Sequence, residues 1–176
     1  FAELGAKVID ADRVAHDILD LPSVRRDLVA EWGSGVMVRG RVDRAAVARC
    51  AFRTRTSVGR LNAIVHPRVA KEIRRSIARC RKPIIVLDAP LLLEAGADVL
   101  CDRVIFVDVP RDVRERRVRP RGWGPGEMKR RERFQWPLTR KRARADYMID
   151  NGRSRAAAAR HVRAQIRELG NPKRGL

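Results

Sequence analysis

Aromatic residues make up only 5% of this sequence, and cysteines and long apolar runs are scarce as well. The scarcity of cysteines and that of apolar runs each exclude a class of protein. The three cysteines, Cys50, Cys80 and Cys101, are far apart and form no Cys-x-x-Cys pair, which argues against a disulfide framework or a zinc site. The apolar runs at 84–87 and 89–93 are far shorter than the roughly 20 residues that span a bilayer. We therefore expect a cytoplasmic protein with no membrane segment and no signal peptide.

Lysine is scarce as well, because arginine supplies 34 of the 40 cationic residues. The formal net charge is +19, and 35% of the 176 residues are charged, which indicates an aliphatic core beneath a charged surface in one domain. Such a surface attracts polyanions, and both nucleic acid and nucleotide phosphates fit that description. A bias toward arginine can also reflect a GC-rich genome, so charge alone does not identify the function.

Four apolar runs that each end in aspartate predict the strands of a parallel sheet. They are Lys7–Asp10, Ile84–Asp88, Val104–Asp108 and Tyr147–Asp150. Helical spacing separates the runs, and Pro67 is predicted to open one of the helices, whereas 33–40 is predicted to be a loop. Strands that alternate with helices predict an α/β doubly wound fold, whose ligands bind beyond the carboxyl ends of the strands.

Acidic residues follow two of these strands. Asp10 and Asp12 lie two residues apart, where one carboxylate could accept a proton from a substrate hydroxyl. The structural alternative is that Asp12 caps a helix beginning at Arg13 while Asp10 ends the strand. Asp88 occupies the place where phosphate-handling α/β enzymes hold Mg²⁺ or its water shell, or it only ends its strand.

Two further patterns concern the histidine before Pro67 and a basic segment. His66 could reach into a cleft or cap a turn. Residues 111–144 contain twelve Arg and two Lys against four acidic residues, a net charge of +10. Arg117 and Arg121 share a helix face within this segment, and the glycines and proline at 122–126 form a joint suited to a lid that closes over phosphates. The alternative is a solvated basic surface.

Taken together, several motifs in order and spacing resemble the dephospho-coenzyme A kinases. The matching segments are 8–12 (VIDAD), 42–44 (VDR), 61–67 (LNAIVHP), 87–94 (LDAPLLLE), 103–109 (RVIFVDV), 135–138 (QWPL) and 145–151 (ADYMIDN). The resemblance implies a P-loop NTPase-like fold. It also implies transfer of the γ-phosphoryl group of ATP, with Mg²⁺, to the ribose 3′-hydroxyl of dephospho-CoA, the last step of coenzyme A biosynthesis.

The resemblance also implies that different parts of a single kinase domain have different functions. A nucleotide-binding core would comprise 1–19, 82–110 and 145–176, with a helical substrate region at about 20–81 and a lid at about 111–144. Asp12 matches the acid proposed as general base, Arg117 and Arg121 match arginines that face the phosphates, and Asn151 lies near the adenine pocket. The acceptor side would be formed by Asp10, Arg44, His66, Asp88, Pro90 and Leu91.

One departure from the family pattern concerns the phosphate loop. The motif G-x-x-x-x-G-K-S/T occurs nowhere in the sequence. The resemblance implies that a strand and this loop, roughly 20 residues, precede Phe1, with the strand lying between those that end at Asp88 and Asp108. We expect the 176 residues alone to be unstable and without kinase activity. A smaller departure is Pro120, which should shorten its helix and could shift Arg121.

Two rival functions remain open at this stage. Other P-loop small-molecule kinases share the core and differ mainly in the acceptor site, although the segments 66–67 and 88–92 favour dephospho-CoA. A basic nucleic-acid-binding module would explain the charge, but the sequence lacks an aromatic-studded sheet or a DNA-reading motif. We therefore do not expect nucleic acid as a partner.

Overall fold

The structure, a computed structural model, describes residues 1–122, 124 and 126–169. These residues form strands β1 (Lys7–Asp10), β2 (Met37–Val38), β3 (Arg41–Val42), β4 (Ile85–Asp88), β5 (Ile105–Asp108) and β6 (Tyr147–Asp150). They also form helices α1 (Ala11–Leu19), α2 (Pro22–Trp32), α3 (Arg44–Ala51), α4 (Arg55–Ala78), α5 (Arg111–Val118), α6 (Glu127–Glu132), α7 (Leu138–Ala143) and α8 (Arg155–Leu169). The four predicted strands are all present, each ending at its aspartate.

The strands pair two by two. β1 is hydrogen-bonded to β4, and β5 is hydrogen-bonded to β6. β5 and β6 run parallel, with Ile105 opposite Tyr147 and Asp108 opposite Asp150. The parallel direction agrees with the prediction from their uniformly apolar sequences, since parallel strands are buried on both faces.

β2 and β3 form a short antiparallel hairpin in the region predicted to be a loop. Met37 lies opposite Val42, and the two-residue turn between the strands consists of Arg39 and Gly40. Both turn residues have positive φ angles, 49° and 75°. Turns of this kind match the twist of the strands they connect, and they usually carry Asn or Asp at the first position. Because this turn has arginine at that position, nothing in the sequence indicates a hairpin.

Helix α4 contains a proline in its interior, so the prediction that Pro67 opens a helix is wrong. α4 begins at Arg55, twelve residues earlier, and continues to Ala78. Proline removes the N–H that would bond to the Ala63 carbonyl oxygen. The same turn gains another donor, because Arg68 Nη1 lies 2.6 Å from the Ile64 carbonyl oxygen.

The chain divides into two compact units, of which one comprises Val8–Arg81 and Leu87–Ala89. It holds helices α1 to α4 and a well-packed apolar cluster. The buried members of this cluster are Ile18, Val24, Leu28, Val36 and Val47. Val24 and Leu28 are completely buried. Helical spacing places Ile18 on the inner face of α1 and both Val24 and Leu28 on the inner face of α2.

The other unit comprises Phe1–Lys7, Lys82–Val86 and the described residues of Pro90–Leu176. It contains β5, β6 and helices α5 to α8. Ile149 in β6 is 3% exposed and is part of its core. Ser154 caps α8 as predicted, because its Oγ atom accepts a hydrogen bond of 3.1 Å from the Ala157 backbone N–H.

Gly152 lies at a point of close approach between the segments that follow β5 and β6. A β-carbon at this position would lie 2.5 Å from the Cδ atom of Pro110. Because the proline ring is rigid, we expect Gly152→Ala to lower the free energy of unfolding by about 1–3 kcal/mol, measured by urea unfolding of the full-length protein. Gly59→Ala is the control, since Gly59 faces open space in α4 and alanine should stabilise that helix. Equal stabilities for the two variants would contradict the prediction.

Candidate active site

The junction of β1 and α1 holds the two predicted acids in different roles. Asp10 ends the strand and also caps the helix, because its Oδ1 atom accepts a hydrogen bond of 2.9 Å from the Arg13 backbone N–H. Helix α1 therefore begins at Ala11, and the alternative in which Asp12 is the cap is wrong.

Asp12 lies in the first turn of α1 and is exposed. Within the part of the chain that the structure describes, its side chain forms no hydrogen bond or ion pair. Its negative charge is favourable at this end of a helix, where unpaired backbone N–H groups create a positive potential. The carboxylate therefore remains available as a proton acceptor.

Asp88, at the end of β4, lies close enough to both acids to sense their charges. Partial loss of hydration raises the pKa of the Asp88 carboxyl, and the negative charges of Asp10 and Asp12 raise it further. The pairing of β1 with β4 and this mutual influence bring Asp10, Asp12 and Asp88 together at the ends of the two strands. Asp108, in the other unit, is instead paired with Arg142, whose Nη2 atom lies 2.8 Å from Asp108 Oδ1.

The raised pKa of Asp88 has a consequence for stability. A carboxyl whose folded pKa exceeds its unfolded pKa favours folding only at low pH, and this contribution is lost as the pH rises through the folded pKa. We therefore expect Asp88→Asn to raise Tm at pH 7 in buffer free of divalent cations. The gain should shrink as the pH falls toward 4, where the wild-type carboxyl becomes protonated. A gain that does not depend on pH, measured by thermal unfolding, would contradict this account.

Arg44 lines a groove on the unit formed by Val8–Arg81 and Leu87–Ala89. The groove has a volume of about 460 Å³ and is lined by Asp20, Val38, Arg41, Val42, Asp43, Arg44 and Ala45. Asp43 caps α3 by accepting hydrogen bonds of 2.9 and 3.1 Å from the Ala45 and Ala46 backbone N–H groups. Arg44 is consequently held at the first position of the helix.

The charges in this groove leave one guanidinium unengaged. Arg41 Nη2 lies 3.0 Å from Asp20 Oδ2, and Arg25 Nη2 lies 3.7 Å from Asp20 Oδ1. The hydrogen bond from Arg41 lowers the pKa of Asp20, and the charges of Arg25, Arg41 and Arg44 act in the same direction. Among the described residues, Arg44 has no hydrogen-bond or ion-pair partner. Its guanidinium can therefore bind an anion in the groove.

His66 is half-buried in the middle of α4, so the alternative that it caps a turn before a helix is wrong. Burial lowers the pKa of its imidazole below the ordinary value of 6.5. The ring is therefore neutral at pH 7, with one nitrogen that donates and one that accepts. It can form a hydrogen bond with a ligand but carries no charge to attract a phosphate.

Two of the predicted nucleotide-binding residues are in direct contact. Arg117 Nη1 donates to the Asn151 carbonyl oxygen at 2.8 Å, and the Asn151 N–H donates to the Asp108 carbonyl oxygen at 2.8 Å. Helix α5 ends at Val118, shortly before Pro120, as predicted. The backbone of Arg121 belongs to the 3₁₀ helix Arg119–Arg121. Its side chain, which was predicted to contact phosphates, lies outside the described part of the structure. The predicted joint at 122–126 includes positions 123 and 125, which also lie outside it.

The basic segment 111–144 is partly neutralised within itself. Its four acidic residues, Asp112, Glu115, Glu127 and Glu132, all form ion pairs with arginines of the segment. Most of these pairs are exposed and contribute little to stability. Much of the charge is therefore solvated, while Arg117 is bonded to the backbone.

Pro90 and Leu91 begin the segment that follows β4. Pro90 contributes its carbonyl oxygen to a contact that sequence analysis missed, in which Lys141 Nζ donates at 2.8 Å. Lys141 also forms an ion pair of 2.8 Å with Glu94 Oε1. A single acid after the apolar run 89–93 was the available signal, but nothing local connects it to a lysine 47 residues later.

The described residues show neither a metal site nor a membrane-spanning helix. Within the ranges given above, no group of three or more His, Cys, Asp or Glu side chains has the arrangement of a metal site. No described helix combines the length and apolar character required to cross a membrane.

Comparison with known proteins points to one family. The family model described as Dephospho-CoA kinase matches residues 1–156. The dephospho-CoA kinase of Parasynechococcus marenigrum is 38% identical over 150 residues, which are 84% of this chain and 76% of that protein. The enzyme of that name from Geobacillus kaustophilus is 35% identical over 172 residues, or 94% and 86% of the two chains.

Solved structures agree with the predicted fold class. The crystal structure of TT1252 from Thermus thermophilus has a TM-score of 0.81 and 32% identity, and the match covers 96% of this chain and 87% of that one. Dephospho-CoA kinase from Campylobacter jejuni has a TM-score of 0.68 with the same coverage. Its 23% identity supports the fold alone.

Proposed function

The chain belongs to the dephospho-CoA kinase family, and on that premise we propose that it transfers the γ-phosphoryl group of ATP to the ribose 3′-hydroxyl of dephospho-CoA. This reaction is the last step of coenzyme A biosynthesis. The observation that carries the proposal at the level of the site is the group of Asp10, Asp12 and Asp88 at the end of β1 and β4. Phosphoryl transfer requires an acid group at such an edge to orient and deprotonate the acceptor hydroxyl.

Asp12 is proposed as the general base. Its carboxylate is exposed and lacks a partner among the described residues, whereas Asp10 already accepts a hydrogen bond from Arg13. During transfer the 3′-hydroxyl oxygen bonds to the γ-phosphorus while the bond to the β,γ-bridging oxygen breaks. The hydroxyl proton passes to Asp12, and ADP leaves with the negative charge.

Mg²⁺ is proposed to bind at Asp88. Mg²⁺ binds proteins through one or two carboxylates together with substrate phosphates, so a full set of protein ligands is not required. The pKa of the Asp88 carboxyl is raised first by partial loss of hydration and then by the negative charges of Asp10 and Asp12, and a divalent ion would relieve the repulsion among these three acids. When bound, the ion would neutralise charge on the phosphates of ATP.

The remaining site residues are proposed to bind substrates. The Arg44 groove fits the anionic diphosphate of dephospho-CoA, while neutral His66, Asp10, Pro90 and Leu91 would contact its less charged parts. On the nucleotide side, Asn151 would lie near the adenine, and arginines 117 and 121 would face the phosphates from a lid at about 111–144. We also propose that the protein acts in the cytoplasm, which fits its three free cysteines.

The test is a kinase assay on the protein expressed from its complete gene. We expect ATP-dependent conversion of dephospho-CoA to a product that carries one new phosphate on the ribose 3′-oxygen, identified by mass and ³¹P NMR. Phosphorylation of another nucleoside or metabolite in preference to dephospho-CoA would favour the related kinases. Salt-sensitive binding to duplex DNA without any turnover would favour the nucleic-acid module instead.

A further inference from the structure

Lys141, in α7, is surrounded by three oxygen acceptors. Its Nζ atom lies 2.8 Å from Glu94 Oε1, 2.8 Å from the Pro90 carbonyl oxygen and 3.1 Å from Gln135 Oε1. A lysine ammonium group has three protons, so each can have its own acceptor. The Lys141 side chain is only 12% exposed, and that of Glu94 is only 13% exposed.

Glu94 depends on this contact. Its Oε1 atom also accepts a hydrogen bond of 2.7 Å from the Trp136 backbone N–H. Its Oε2 atom is buried and has no hydrogen-bond partner in the described part of the chain. A buried carboxylate in this state is strongly disfavoured without a cation beside it. The ammonium of Lys141 therefore fixes Glu94, and Glu94 in turn fixes the backbone at Trp136.

These contacts join two segments that are far apart in sequence. One is 90–94, which begins two residues after Asp88 and includes the proposed acceptor residues Pro90 and Leu91. The other is 135–141, at the end of the proposed lid. Two hydrogen bonds and an ion pair connect them, and one of the hydrogen bonds acts on the acceptor backbone itself, at the Pro90 carbonyl.

We propose that Lys141 and Glu94 are positioning residues that hold the Pro90–Leu91 backbone in the conformation that receives dephospho-CoA. This inference rests on the proposed function and adds a specificity-determining pair to it. Neither side chain needs to touch the substrate. Because Pro90 loses its only described side-chain donor when Lys141 is removed, the acceptor segment should become free to adopt other conformations.

The same helix region provides a matched control. Arg144 Nη2 lies 3.1 Å from Asp98 Oδ2, so this pair also connects the end of α7 to the stretch after β4. The Arg144 side chain is 62% exposed, and within the described residues this pair forms no hydrogen bond to the Pro90–Leu91 backbone. A purely structural connection between these segments would be weakened by removing either pair.

The experiment compares steady-state kinetics of Lys141→Met, Glu94→Gln and Arg144→Met in the complete protein. We expect Lys141→Met to raise the KM for dephospho-CoA about tenfold or more, while the KM for ATP stays within about twofold. Glu94→Gln keeps the shape of the side chain and an acceptor for the Trp136 N–H, so it should fold and show the same selective effect to a smaller extent. Arg144→Met should leave both KM values unchanged.

The outcomes separate the inference from the proposed function. An equal rise in both KM values, or unchanged KM values with a smaller active fraction, would assign the pair a structural role and overturn the inference. The same follows if Arg144→Met reproduces the effect of Lys141→Met. Wild-type protein that phosphorylates a different acceptor would overturn the proposed function, and the inference would fall with it.

Discussion

Asp12→Asn is expected to lower kcat for dephospho-CoA phosphorylation by about 10²- to 10⁴-fold, the range over which a general base contributes. Asparagine has nearly the same shape as aspartate but cannot accept the hydroxyl proton. The KM values for both substrates should change little, because the interaction is lost mainly in the transition state. Steady-state kinetics of the complete protein with ATP and dephospho-CoA would measure both quantities.

Two further variants identify which acid is responsible. Asp17→Asn removes an exposed carboxylate from the same helix and should leave kcat unchanged. Asp10→Asn keeps the helix cap, since asparagine caps as well as aspartate. A large loss of kcat in Asp10→Asn together with normal turnover in Asp12→Asn would transfer the role of base to Asp10.

Leu28→Ala is expected to lower the free energy of unfolding by about 2–5 kcal/mol, the largest stability effect that we predict. Leu28 is completely buried within the apolar cluster to which helices α1 to α4 all contribute. Truncation removes buried apolar surface and leaves a cavity that rigid neighbours cannot fill. Urea unfolding of the full-length protein, followed by circular dichroism, would measure the change.

Leu21→Ala removes the same atoms from a side chain that is 44% exposed, and it should cost less than about 1 kcal/mol. A similar loss in both variants would mean that the cluster around Leu28 is not the core of its unit. A loss confined to Leu28→Ala would support the packing described above.

Uniformly apolar runs made the strands predictable. The structure begins β4 at Ile85 and β5 at Ile105, each one residue later than predicted, and ends both at the predicted aspartate. Uniformly apolar composition is typical of strands in parallel sheets, so the boundaries are visible in composition alone. The helix after Ser154 was predictable for a similar reason, because its cap is a local feature.

The continuous helix α4 could not be predicted, because its explanation lies outside the local sequence. Pro67 satisfies the rule for a helix start, and the rule is usually correct. In the structure, Arg68 forms an ion pair of 2.6 Å with Asp27 in α2 and also bonds to the turn before the proline. Contacts with another helix thus stabilise a turn that the local sequence disfavours.

The candidate site was likewise only partly predictable from the sequence. The position of the acids at strand ends followed from the sequence, whereas the choice of cap between Asp10 and Asp12 did not. Two aspartates spaced by one residue are equally good caps, and only the extended backbone of Asp10 decides between them. The contacts of Lys141 could not be predicted for another reason. Its acceptors, at positions 90 and 94, are about fifty residues away in the sequence, and no periodicity connects them to the lysine.

The double role of Asp10 also restricts how the gene can change in length. Since strand and helix share this residue, no connecting residues separate the sheet from the helix that carries Asp12, the proposed base. One codon inserted after Asp10 would rotate the carboxylate of Asp12 by about 100° around α1 and shift it along the axis. A codon inserted at the exposed turn of Arg39 and Gly40 would lengthen that turn but leave the position of Asp12 on its helix unchanged. Tolerance of insertions is therefore expected to differ sharply between these two places.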